Sequence, residues 1–258
     1  MSTILYKYLD ITGGICMIGN KNLQFTNASK LNDPFDCHPD LVDYSDIPES
    51  VRHGVPLDWY IEKEKNDAFN LRNDTWLSSF SKENDSLLMW SHYCWNHSGI
   101  CVGLDLDKVM ASVPPLFGTK SLEPYVIEVQ YVDINQRPDF KTVSWDYLWR
   151  VKDQKWEYEQ EVRLVVDSPY SAYAAFTPAQ AEEAEKDKNK IWDWREIHHY
   201  LPLNEDCFES IYFGKDINPK EKEKIINFAR KKLNPDIKLY QMRVDENAFR
   251  LKAERITE

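Results

Sequence analysis

The chain has 258 residues, 42% hydrophobic and 13% aromatic, which is enough apolar side chain for a sizeable buried core and argues against disorder. A formal charge of −11 disfavours nucleic acid as a partner at long range, although the basic stretch "ARKKL" leaves a local phosphate contact open. No basic and then apolar leader opens the chain and no run approaches the ~18 apolar residues of a membrane span, so a cytoplasmic protein with no membrane partner is expected.

In chain order, "ILYKYLD" and "LQFTN" alternate aromatic or β-branched residues with polar ones and predict strands, joined by a "TGGICMIGN" connector. "NDPFDCHPD" is a loop by its Asn-Asp-Pro and His-Pro turns, and residues 47–73 carry a weak helical period broken at Pro56. "TWLSSFS" predicts a central strand. "SLLMWSHYCWNHSG" predicts a short aromatic helix, capped by Ser86 and stopped at Gly99. "ICVGLDL", "YVIEVQYV" and "EVRLVV" predict further strands, with "PPLFGTKSLEP" as a loop between the first two. Residues 168–194 change in composition: Thr177 caps, Pro178 follows, and acids precede lysines, the pattern of an exposed helical insertion. "SIYFG" and "IKLYQMRV" are strands around a helix opened by Asn218-Pro219 and closed before Pro235. The expected architecture is one α+β domain over 1–258, a twisted, mainly antiparallel sheet with flanking helices.

Several chemistries are weak in this pattern. Cys16, Cys37, Cys94, Cys101 and Cys207 are odd in number and widely spread, so reduced thiols are expected rather than a disulfide framework or zinc ribbon. His92 and His97 are five apart, roughly 500° around a helix, which separates them, and no metal is expected. There is no GxGxxG, GxxxxGK[ST] or GxSxG motif.

The concentrated polar motifs each have a structural and a functional reading. If "WEYEQEVRLV" is one strand from Trp156 to Val165, Glu157, Glu159, Glu161 and Arg163 share a face opposite Trp156, Tyr158, Val162 and Leu164. That face is either a solubilising edge or the lining of a cleft. In a cleft, carboxylates ~7 Å apart repel, one pKa rises, and Arg163 holds another ionised. Ser79 and Ser81 share a strand face; either Ser81 or Ser86 merely caps the next helix, or Ser81 faces the same cleft. His92 points away from the face of Trp90, as a packing histidine would. Asn32, Asp33 and Asp36 either tie down their own backbone around Pro34 or present a polar group to a ligand, with Phe35 anchoring the loop in the core.

"LYKY", "LNDPFDC", "SSFSKENDSLLMWSHY", "GICVGLDL" and "KWEYEQEVRLV", in this order, resemble the bacterial family named domain of unknown function 2971. The order of a first-strand residue, a mid-chain serine strand and a late Glu-x-Glu strand is also similar to ADP-ribosyltransferases. That second resemblance implies an ADP-ribosyltransferase-like fold with NAD as substrate. It implies Glu161, Glu159 and Ser81 as catalytic residues, and Lys7, Tyr8, Trp90, His92, Tyr93 and Arg163 around the nucleotide, with Asn32, Asp33 and Asp36 in a nearby loop. Lys7 stands where Arg or His is usual. The chemistry suits these side chains: nicotinamide leaves as a neutral ring, the ribose becomes oxocarbenium-like, and a carboxylate stabilises it. Glu161 would hold the ribose, Glu159 would orient or deprotonate the acceptor, Ser81 would position the sugar, and Tyr8, Trp90 or Tyr93 would stack on the ring. The acceptor, whether macromolecule or small molecule, is open. Two other classes stay open: a non-catalytic ligand- or protein-binding module, and a phosphodiesterase or nuclease holding magnesium with Asp33, Asp36, Glu159 and Glu161.

Overall fold

A computed structural model describes residues 2–112, 124–144, 146–167 and 197–257. The expected helical insertion at 168–194 and most of the "PPLFGTKSLEP" loop lie outside these residues. In chain order the elements are β1 (Ile4–Leu9), α1 (Ile11–Asn20), β2 (Asn22–Asn27), α2 (Glu49–Arg52), α3 (Leu57–Asn73), β3 (Thr75–Ser81) and α4 (Leu87–Tyr93). There follow β4 (Ile100–Asp105), α5 (Leu106–Ser112), β5 (Tyr125–Glu128), β6 (Gln130–Val132), α6 (Tyr147–Arg150), β7 (Val151–Asp153) and β8 (Glu161–Asp167). The last described elements are β9 (His198–Pro202), β10 (Phe208–Phe213), α7 (Pro219–Lys232), β11 (Lys238–Val244) and β12 (Leu251–Arg255). The fold is mixed α+β. An open sheet runs β12-β11-β10-β4-β1-β3-β2-β9, with β8 on β3 and β5 on β8, and among the described residues only its β10–β11 pair is parallel. β6 and β7 form a separate parallel pair. Among the described residues no helix is long and apolar enough to cross a membrane.

Alternation along the strands divides the core. Trp76, Phe80, Val162, Leu164 and Val166 join Ile18, Phe25, Phe213 and Ile225 on one sheet face, where α1 and α7 pack. Leu77, Val165 and Ile127 face the opposite way, toward Leu41, Ile47, Leu148 and Trp149. A third cluster, with Tyr8, Trp90, Cys101, Tyr212 and Met242, lies under α4.

Four elements depart from their expected form. "TGGICMIGN" is helical, because Asp10 accepts a hydrogen bond from Gly13 N at 2.6 Å and the helix buries Met17 and Ile18. Capping and burial outweigh about 1 kcal/mol of propensity lost per glycine, and Gly14 has a packing reason: a Cβ there would lie 2.1 Å from Ile100 Cδ1. "WEYEQEVRLV" is not one strand: Gln154–Glu159 is a 3-10 turn, Gln160 is left-handed with φ 44°, and the strand begins at Glu161. α4 ends at Tyr93, well before Gly99, and Trp95, Asn96 and His97 follow with positive φ. "YVIEVQYV" is divided between β5 and β6, which belong to different sheets.

The sheet forks at β3. One edge of β3 pairs throughout with β8, from Thr75↔Asp167 to Ser81↔Glu161. The other edge pairs with β2 at Trp76 and Leu77 and with β1 only at Ser81, opposite Tyr6. Residues 78–80 therefore have no strand partner on that side among the described residues, and Lys7 fills the gap by donating to Ser78 Oγ at 3.0 Å and to the Ser79 carbonyl at 2.8 Å.

The same cross-strand row runs Ser210, Gly103, Tyr6, Ser81 and Glu161 over five strands. At Gly103 a Cβ would lie 2.3 Å from Ser210 Oγ and 3.4 Å from Tyr6 Cε1. Gly103→Ala is expected to lower stability by about 1–3 kcal/mol, and Ser210→Ala is expected to return part of that loss in the double variant. Urea midpoints of the four proteins measure the coupling, and additive effects would show that the close approach does not control packing in this row.

Candidate functional site

β8 places Glu161 and Arg163 on the sheet face shared with Val165, opposite Ser81 and Ser79 of β3. Arg163 is completely buried. Its Nε donates to Glu161 Oε1 at 2.9 Å and its Nη2 to Glu161 Oε2 at 3.0 Å. Nη1 and Nη2 also donate to the two oxygens of Asp36, at 2.9 and 2.7 Å, and Nη1 reaches the Trp149 carbonyl at 3.1 Å. All five guanidinium N–H groups thus have an oxygen acceptor, and both carboxylates are held bidentately.

Lys152, on the short strand β7, is the second buried cation. It donates to Glu159 Oε2 and, at 3.1 Å, to Glu161 Oε2, lies 3.8 Å from Asp36, and sits over the Trp156 ring. Tyr93 from α4 donates to the other oxygen of Glu159 at 2.6 Å. The Glu161 N–H donates to Tyr131 Oη at 2.7 Å. The left-handed Gln160 joins a helical turn to a strand while leaving the carboxylates on both sides of it bound to one ammonium.

The two glutamates consequently differ. Burial pushes Glu161 up, but Arg163 and Lys152 outweigh it and hold its carboxyl well below the usual range. Burial likewise raises Glu159; Lys152 opposes this, the Glu161 charge adds to it, and the net direction is upward. Burial pulls Lys7 down to about 8 against the Glu161 charge, and pushes the Tyr93 hydroxyl up.

These groups surround a cavity of about 160 Å³ between the second and third core clusters. Lys7, Tyr8, Asn32, Asp36, Ser81, Tyr93, Glu159 and Glu161 from the expected site all line it. Ser81 does not cap a helix: its Oγ accepts from Glu83 N at 3.1 Å, which leaves the hydroxyl proton available. The remaining candidates lie elsewhere. Trp90 is fully buried, donating to the Asn84 carbonyl and meeting Tyr8 edge to face, so it is a core residue. His92 is exposed and pairs with Tyr158 Oη at 3.0 Å. Arg163 sits behind Glu161, Asp33 accepts from Phe35 N in its own turn, and Glu157 is exposed. Phe35 does not anchor its loop; it is exposed, and the adjacent Asp36 and Cys37 are buried instead.

Lys152, Tyr6, Ser79, Leu31, Phe80 and Met89 complete the lining, and sequence reasoning assigned no site role to Lys152 or Tyr6. The available signal for Lys152 was a lysine directly after the mostly apolar "YLWRV", ahead of the glutamates. Among the described residues no group of three or more His, Cys, Asp or Glu is arranged to hold a metal ion. Asp36, Glu159 and Glu161 are each bonded to a protein cation, and Asp33 is turned into its own loop, an arrangement that does not fit the magnesium set.

The family model described as protein of unknown function (DUF2971) matches residues 89–164. That span carries Tyr93, Lys152, Glu159, Glu161 and Arg163, and supports the resemblance drawn from the motifs. No curated protein and no solved structure matches the chain, so the likeness to ADP-ribosyltransferases rests on motif order alone.

Replacing Arg163 with Met leaves Asp36 and Glu161 buried with only Lys152 between them. A loss of about 3–5 kcal/mol is expected at neutral pH. In the wild type, the lowered pKa of Glu161 makes its pairing fully stabilising above the ordinary Glu value of 4.5 and progressively less so as pH falls. In the variant the same carboxylates protonate more readily, so the stability gap is expected to narrow on acidification. Urea titrations across this range test it; a gap independent of pH would contradict the electrostatic assignment.

Proposed function

We propose that this cavity cleaves the N-glycosidic bond of a nicotinamide nucleotide, with NAD as substrate, and passes the ADP-ribosyl group to an acceptor or to water. The observation that carries the reading is the division of labour between the two buried glutamates. Glu161 has both oxygens taken by Arg163 and Lys152, whereas Glu159 faces the cavity with one oxygen bonded only to the neutral Tyr93 hydroxyl.

A cavity of about 160 Å³ matches one ring with its substituents, since a 150 Å³ cavity holds benzene and drug-sized ligands need roughly 300 Å³ or more. The nicotinamide end therefore enters, against Tyr6, Tyr8 and Tyr93, and the rest of the dinucleotide lies outside. Bond cleavage sends the electron pair to the ring nitrogen, and positive charge develops on the ribose. Glu159 is the carboxylate available to stabilise that charge and then to take the acceptor's proton. Ser81 offers its free hydroxyl proton to the sugar. Glu161 becomes a positioning residue: its fixed charge holds Lys152, and Lys152 holds Glu159.

A second reading, a binding module without turnover, is favoured by the fact that each acid lining the cavity already has a protein cation within 4 Å. Glu159→Gln keeps the shape and can still accept from Tyr93. It is expected to reduce nicotinamide release from NAD by about 100-fold or more in protein that still folds, with some loss of stability because the amide cannot accept from both Tyr93 and Lys152; Glu161→Gln is expected to lower stability further. Equal release by wild type and Glu159→Gln would overturn the role of Glu159. Thermal stabilisation by NAD without any nicotinamide release would favour the binding module.

A further inference from the structure

Lys7 is the lining cation that the glutamate network does not use. Among the described residues no carboxylate lies within 4 Å of it, in contrast to Lys152, whose ammonium meets three. Its Nζ donates to two acceptors, Ser78 Oγ and the Ser79 carbonyl, and the side chain passes over the Phe80 ring with 5.1 Å from Nζ to the ring centroid. An ammonium has three protons to place, whereas a neutral amine has two N–H groups and a lone pair. The fork in the sheet supplies two acceptors, as many as a neutral amine has N–H groups, and the side chain lines the cavity.

We infer that Lys7 is a nucleophilic amine, and that the cavity captures the carbonyl carbon of a small aldehyde as an imine on its Nζ. The surroundings agree. Burial lowers Lys7 to about 8, Glu161 on β8 opposes that shift, and His198 on β9 is itself lowered by burial and by the nearby Lys7 charge. In the addition, the nitrogen lone pair forms the C–N bond, the carbonyl π pair moves to oxygen, and the amine proton follows it. The nitrogen lone pair then expels the hydroxyl, which leaves as water with a proton taken from solvent, while Glu159 lines the same cavity. The products are the protonated imine and one water, with the Glu159 carboxylate to balance the new positive charge.

This inference shares the cavity with the proposed function but does not depend on it, because imine capture requires no NAD cleavage. The test treats the folded protein with glycolaldehyde and sodium cyanoborohydride at neutral pH and follows alkylation of each lysine by peptide mass spectrometry. Lys7 is expected to be alkylated about tenfold faster than the exposed Lys30 and Lys232. Glu159→Gln is expected to slow Lys7 while leaving those two unchanged. Lys7→Arg, which keeps a hydrogen-bonding cation in the fork, is expected to abolish the fast phase. Alkylation of Lys7 no faster than that of Lys30 and Lys232 overturns the inference, whatever nicotinamide release shows.

Discussion

The arrangement of the site follows from a single buried guanidinium. Arg163 brings a full charge into the interior, where an unpaired ion costs several kcal/mol, and its placement is tenable because five oxygens meet its five N–H groups. Those oxygens come from three separate pieces of chain: Asp36 in the loop after β2, Trp149 in α6, and Glu161 on β8 itself. The guanidinium thereby fixes the layer that covers the sheet. Lysine could not replace it, since one ammonium cannot hold two carboxylates in parallel forks.

Satisfying Arg163 creates the next requirement. Two carboxylates around one guanidinium leave negative charge over, and Glu159 adds more, so a second cation is needed where all three acids converge. Lys152 meets that need from a three-residue strand whose other residues, Val151 and Asp153, are also buried. Gln160 permits the convergence, because its left-handed backbone turns the chain between the two glutamates. That conformation disfavours an ordinary residue by about 1–2 kcal/mol, and both neighbouring carboxylates gain a charged hydrogen bond from it.

Much of this was legible in the sequence where local rules dominate. β3, β4 and α7 follow from apolar period and a capping Asn218, and the shared face of Ser79 and Ser81 follows from strand alternation. The rest fails for identifiable reasons. A 3-10 turn followed by a strand imitates continuous alternation when its acids fall at 157, 159 and 161, so Glu157 was grouped with residues from which it is separated. The strands β9 and β12 are short and largely exposed, and their polar residues conceal any period. Of the expected residues on α4, Tyr93 lines the cavity but Trp90 and His92 do not, and Met89, a quarter turn from Trp90, lines it instead. The partnership of Lys152 with the glutamates depends on a turn that residue types alone did not announce.

Two neighbouring carboxylates with opposite shifts are a familiar way for one site to hold a permanent charge and a proton carrier together. Here the distinction arises from the order in which the cations are used. Glu161 is closed on both sides by Arg163 and Lys152, so its ionisation is a structural constant. Glu159 is left with half an ammonium, a tyrosine hydroxyl and the repulsion of its neighbour, and the net direction of its shift is upward. The fork at β3 then places Lys7 in the same cavity, far enough from any acid within ion-pair range for its proton to be weakly held. A lysine that burial lowers and a glutamate that burial raises thus stand in one small cavity, beside the Glu161 carboxylate that Arg163 holds in place.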